Sequence, residues 1–188
     1  MKLVSLALAG VIAAASFTAQ AYAAADDFLK IQLKDGPVVV QLMPEVAPKH
    51  VAQVKKLVAD GKYDNVAFHR VIQGFMAQTG DVQYGNTTKG FDARRAGTGA
   101  SDLPNLPAEF SKVPFERGTV GMARSQDPNS ANSQFFIMFD QGSFLNGQYT
   151  VIGKVVSGME NVDKIKRGKG GNGEVADPDR MIKVTLGK

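Results

Sequence analysis

Arg70, Gln78 and Gln134 are the residues whose types could do chemistry, and their surroundings limit what that chemistry is. The run Phe68-His69-Arg70-Val71-Ile72-Gln73-Gly74-Phe75-Met76-Ala77-Gln78 sets a guanidinium and an amide among aromatic and thioether side chains. Gln134 precedes Phe135 and Phe136 in a second segment of the same character. Alternate residues of a strand share a face, so Met76 joins Gln78 and Gln134 joins Phe136. A permanently charged fork of donors beside amides and apolar surface suits holding a polypeptide and turning a bond rather than breaking one. Read alone, the Phe and Met residues serve equally as core packing.

Groups for hydrolysis or metal chemistry do not accompany them. The two histidines, His50 and His69, fall in a helix pattern and a strand pattern, and no serine sits in a G-x-S-x-G elbow beside a base. His69 and Arg70 are neighbours in an alternating run, which predicts opposite faces and a structural role for His69. With no cysteine and no ligand spacing among the carboxylates, no metal site is expected. Gly168-Lys169-Gly170-Gly171-Asn172-Gly173 lacks the Lys-Ser/Thr ending of a phosphate loop and reads as a surface turn.

The elements that must position these residues follow from periodicity. Phe28–Leu33 and Val38–Leu42, separated by Asp35-Gly36, read as a hairpin. Pro48 opens a helix whose apolar face is Val51, Val54, Leu57 and Val58, closed by Asp60-Gly61. Strand character covers residues 66–78, 118–122, 133–139 and 149–156, followed by a helix over 159–167 and a last strand over 181–186. Gly80 to Pro107 has no periodicity, and a loop of that length in a compact domain is often functional. The pattern predicts a mostly-β closed barrel.

The ends and composition set the context. Lys2, the apolar run Leu3–Ala15 and the small residues Ala19-Gln20-Ala21-Tyr22-Ala23 read as a secretory signal, cleaved after Ala23. Residues 24–188 are then a single domain large enough to bury a core. No later run is long and apolar enough for a membrane span, so no stable membrane insertion is expected. The formal charge is +4, and loss of Lys2 with the leader leaves +3. The basic cluster Lys164, Lys166, Arg167 and Lys169 lacks interleaved aromatics and reads as a solvated face, not a nucleic-acid surface. A leader without any cysteine suits a bacterial periplasm, with release into the medium as the alternative. Nothing resembles a coiled coil, so a monomer is expected.

Phe68–Ile72 with Gly74-Phe75-Met76 and Gln78 resembles the arginine motif of the cyclophilins. Gly118–Ala123, Ser133-Gln134-Phe135-Phe136-Ile137, Gly153-Lys154-Val155 and Gly158-Met159-Glu160 are similar to later segments of that family, in the same order. The resemblance spans Phe28 to Leu186. It implies a closed eight-stranded antiparallel β-barrel capped by two α-helices, with a groove on its outer face. It implies peptidyl-prolyl cis-trans isomerisation of proline-containing polypeptides, such as folding exported proteins, without a cofactor. By position, Arg70 would be catalytic, and Phe75, Met76, Phe136 and Leu145 would line a proline pocket. Gln78 would bind substrate backbone, while Ala123, Arg124 and Gln134 would flank the residue before proline. Phe144 and Tyr149 complete the substrate-binding set, standing where many members have tryptophan and histidine. Arg124 replaces a usual asparagine. A binding role without turnover, as a chaperone or adaptor, is the competing function. Contact with an acidic surface through Arg94-Arg95 is a third.

Overall fold

The computed structural model describes residues 27–187, so the expected leader and its cleavage point lie outside the described residues. The chain starts with strand β1 (Phe28–Leu33) and strand β2 (Gly36–Leu42), joined by a two-residue turn. The expected Asp35-Gly36 turn is displaced by one residue, to Lys34-Asp35, and Gly36 already pairs with Leu33. A Cβ on Gly36 would lie 2.7 Å from Asn161 Nδ2, whose amide donates to Pro37 O at 2.9 Å. That close approach fixes where the strand begins.

Helix α1 (Pro48–Ala59) buries the expected Val51, Val54, Leu57 and Val58, and His50 and Gln53 with them. Ala47 offers no side-chain cap. Glu109 supplies one from a distant loop, accepting from Lys49 N at 3.1 Å, His50 N at 3.1 Å and His50 Nδ1 at 2.7 Å. A carboxylate on the first-turn N–H groups satisfies orphan donors and complements the helix dipole.

The stretch read as strand over 66–78 divides into β3 (Val66–Ala67), β4 (Arg70–Ile72) and β5 (Met76–Thr79). The division comes from the turn after Ile72, closed by Phe75 N on Ile72 O at 3.1 Å. Strands β6 (Thr119–Met122), β7 (Phe135–Met138) and β8 (Val151–Ser157) follow, then α2 (Met159–Val162), β9 (Arg180–Met181) and β10 (Lys183–Leu186). Helix α2 is shorter than the expected 159–167. After Val162 the chain continues in i→i+3 turns, and Asp179 captures Lys166 N at 2.8 Å.

Eight strands form one antiparallel sheet in the order β10-β1-β2-β8-β6-β7-β5-β4, while β3 and β9 pair separately. The sheet curls, but the expectation of a closed barrel is corrected: it stays open, because edge strands β4 and β10 do not pair. The outer edge of β4 is taken by residues 168–175 instead. Val71 N donates to Gly173 O at 2.7 Å, and Gly168 N donates to Val71 O at 2.9 Å. The β3–β9 pair spans the gap, with Val66 opposite Met181.

Strand alternation sorts the apolar residues into two cores. Val71, Ala77, Val120, Phe135 and Ile137 join the main cluster inside the curl, with Leu29, Val40, Val54 and Ile152. Met76, Phe136 and Met138 point the other way and form a smaller cluster with Phe115, Leu145 and Val151. That second cluster is the floor of the site described next.

Candidate active site

The register of the sheet builds the site as a row. Arg70 on β4 lies opposite Gln78 on β5, Gln78 lies opposite Phe136 on β7, and Phe136 lies opposite Gly121 on β6. All four positions fall on the face away from the main core. The glycine in this row has a steric reason. A Cβ there would meet Phe115 Cε1 at 2.5 Å and Phe136 Cζ at 2.7 Å, so its absence lets the two rings stack with centroids 5.7 Å apart.

Around the row lies a cavity of about 420 Å³ lined by Arg70, Phe75, Met76, Gln78 and Phe136 from one side. Ala123, Arg124, Phe144, Leu145 and Tyr149 line the other. These are ten of the eleven residues singled out from the sequence; the eleventh, Gln134, borders an adjoining cavity of about 360 Å³ that shares Gln78, Ala123 and Arg124. Ring contacts shape the apolar pocket. Tyr149 meets Phe136 edge-on with centroids 6.0 Å apart, and the Phe75 ring lies 5.4 Å from that of Phe144, a residue that is 66% exposed. Arg124 lies 4.4 Å over the Tyr149 ring and donates to Gln148 O at 2.9 Å, so it is pinned to the wall of the pocket.

Arg70 is half-buried and held on one side. Its Nε donates to Asn172 O at 2.9 Å, and Nη1 donates to Gln78 Oε1 at 3.3 Å and lies 3.9 Å from Met76 Sδ. Nη2 makes no hydrogen bond to another described residue and keeps its donors for a ligand. Burial lowers the Arg70 pKa from its ordinary range, opposed by Tyr149, yet a guanidinium stays charged at neutral pH.

Behind Arg70 runs a chain of amides. Gln78 Nε2 donates to Gln134 Oε1 at 3.0 Å, and Gln134 Nε2 donates to Gly97 O at 3.0 Å and Gly99 O at 2.8 Å. The loop holding those carbonyls is organised by Asp81, which is fully buried. Oδ1 of Asp81 accepts from Gln83 N at 3.0 Å and Tyr84 N at 2.9 Å. Its Oδ2 accepts from Gly97 N at 2.7 Å and Gly99 N at 2.9 Å.

Sequence reasoning missed Asp81, Gln148 and Asn172 as parts of this site. Only Asp81 had a usable signal: an aspartate opening an irregular glycine-rich loop favours bonds to backbone N–H groups just ahead. Gln148 and Asn172 act through backbone carbonyls, which no residue type announces. His69 is buried and precedes β4 rather than belonging to it, and it borders a cavity that Arg70 also lines. Among the described residues no group of three or more His, Asp or Glu could hold a metal ion. Nor is any described helix long and apolar enough to cross a membrane.

Residues 28–186 match the family described as cyclophilin type peptidyl-prolyl cis-trans isomerase/CLD. The probable peptidyl-prolyl cis-trans isomerase of Brucella suis is 64% identical over 185 residues, covering 97% of this chain and 94% of that protein. Among solved structures, a cyclophilin from Hirschia baltica superposes with a TM-score of 0.72 at 28% identity, covering 87% of this chain and 74% of the other. A Cryptosporidium parvum cyclophilin type isomerase, solved in the presence of the dipeptide Ala-Pro, gives a TM-score of 0.72 at 27% identity. It covers 86% of this chain and 99% of the other.

Proposed function

From the premise that this chain belongs to the cyclophilin-type peptidyl-prolyl cis-trans isomerases, we propose that its groove turns X-Pro bonds in exported polypeptides, with Arg70 stabilising the twisted amide. The isomerase activity itself comes with membership of the family. The residue roles and the exported clients are our reading.

Rotation about a peptide bond is slow because resonance must be lost, at a barrier of ~18–20 kcal/mol. For X-Pro bonds this means tens to hundreds of seconds in water. Catalysis requires better binding of the twisted amide than of either planar form. In the twisted state the proline nitrogen regains its lone pair, and a donor near that nitrogen or the prolyl carbonyl stabilises it. The observation that carries this role is the half-held guanidinium. Nε and Nη1 of Arg70 are occupied, Nη2 is free, and the charge sits at the rim of an apolar pocket. The proline ring would rest on Met76, Phe136 and Leu145, excluding water that would compete for Arg70. Gln78 and Gln134 would hold the flanking backbone so that rotation is confined to one side of the bond.

A rate gain of ~10⁵ requires about 7 kcal/mol from all these interactions together. Loss of the guanidinium alone should forfeit ~3–4 kcal/mol, by analogy with a lost oxyanion donor. Arg70→Ala is therefore expected to lower turnover of a short X-Pro peptide by roughly 10²–10³ while leaving the fold intact. Near-normal turnover by a folded variant would sink the assigned role. The reading as an exported enzyme rests on the leader-like residues 1–23. It is tested by N-terminal sequencing of protein recovered from the periplasm: a chain starting at Ala24 supports it, and an intact Met1 in the cytoplasm overturns it.

A further inference from the structure

The groove continues past Arg70. A cavity of about 280 Å³ is bordered by Arg70, Gln78, His69, Thr98, Asn172 and Glu174, so it shares two residues with the proline pocket. It shares His69, Thr98 and Glu174 with a further cavity of about 630 Å³, whose walls add Phe91, Arg94 and Lys169. Phe91 and Arg94 come from the long loop between Gly80 and Pro107, and the isomerase reading gives neither side chain a role.

Two observations point to a ligand here. The first is continuity with the groove, since Arg70 and Gln78 line both cavities. The second is charge. Arg94 and Lys169 are exposed and make no ion pair with a described residue. Together with Arg70 they set three cations along the trench against one lining carboxylate, Glu174.

We infer that this trench binds the segment of the client polypeptide that flanks the proline on the Arg70 side, and that it favours an acidic side chain there. The inference rests on the isomerase reading for its occupant. A polypeptide seated in the proline pocket has to cross Arg70 and Gln78 to leave on that side, and the trench begins at those two residues. Arg94 and Lys169 supply the field that selects the acid.

The test uses X-Pro peptides in which glutamate or lysine is moved through the four positions on each side of the proline. Turnover is followed by kcat/KM, and binding by fluorescence anisotropy, at low and high salt. At one or more positions glutamate should be favoured over lysine about two- to fivefold, the yield of one or two partly exposed ion pairs. High salt should shrink that ratio, and the double variant Arg94→Glu, Lys169→Glu should invert it. A ratio within experimental error of one at every position overturns the inference, as does a preference that survives unchanged in the double variant. If no peptide is turned over, it is the isomerase reading that fails. The anisotropy ratio then still decides whether the trench selects acidic chain.

Discussion

Four backbone N–H groups converge on the Asp81 carboxylate, and the two glycines it fixes present the carbonyls that orient Gln134, then Gln78, then Arg70. Asp81 touches no substrate position, so it acts as a positioning residue. Asp81→Asn turns one acceptor into a donor facing two N–H groups, and each lost bond to a charged acceptor is worth about 1.5–3 kcal/mol. The variant should lose about tenfold in kcat, the effect of ~1.4 kcal/mol at the barrier. A double-mutant cycle separates positioning from general destabilisation. In a Gln134→Ala background the further loss from Asp81→Asn should fall below twofold, whereas full additivity would rule the relay out. At this scale the sequence exposed side chains that line the groove and concealed residues that act through backbone. Arg70, Gln78 and Gln134 were legible because a charge or amide among alternating apolar residues has few structural uses. The carbonyls of Asn172, Gly97 and Gly99 carry no side-chain signature at all.

Strands β4, β5, β6 and β7 turn scattered sequence positions into one row, and that row was largely legible. Alternation alone places Met76 with Gln78 and Gln134 with Phe136. Legibility failed at cross-strand register, which depends on pairing partners, and so Gly121 gave no sign that it sits beneath Phe115 and Phe136. Gly121→Ala should push the Phe136 ring into the proline pocket. Overpacking of this kind costs about 1–3 kcal/mol of stability, and turnover should drop at least tenfold because the pocket itself is filled. Turnover measured beside the melting temperature checks this: a stable variant with unchanged kcat/KM would mean the rings relax elsewhere. The C-terminal end of α2 falls short of the expected one for a related reason. Helical spacing continues to Arg167, but Asp179, from the far side of a loop, captures the backbone first.

On the scale of the whole molecule, long-range ties replace local ones, and Glu109 is the clearest case. Burial alone would raise its pKa, but hydrogen bonds from the His50 ring and from the His50 and Lys49 backbone outweigh it and hold the carboxyl below its ordinary value. A carboxyl depressed in the folded state adds stability above its unfolded value, near 4.3. That contribution disappears as pH falls through the lower folded value. Glu109→Gln should therefore melt about 3–8 °C below wild type at pH 7, from the loss of a helix cap and a charged hydrogen bond. Between pH 5 and 3 the two melting curves should converge. A constant gap across that window would show that the Glu109 charge is not what holds the helix. The mostly-β architecture was legible from strand-like runs and turns. The open edge was not, because Gly168–Gly173 reads as a surface turn and gives no sign that residues 168–175 occupy the side of β4 that closure would need.

The pairing of β1 with β10 sets Leu29 directly across from Leu186. A ladder between residues so far apart in sequence has a high contact order, and loop-closure entropy must be overcome before that contact gives anything back. Strand β1 therefore lacks one of its two neighbours until β10 can pair with it. Native assembly should accordingly be a cooperative and comparatively slow event, completed only when β10 docks.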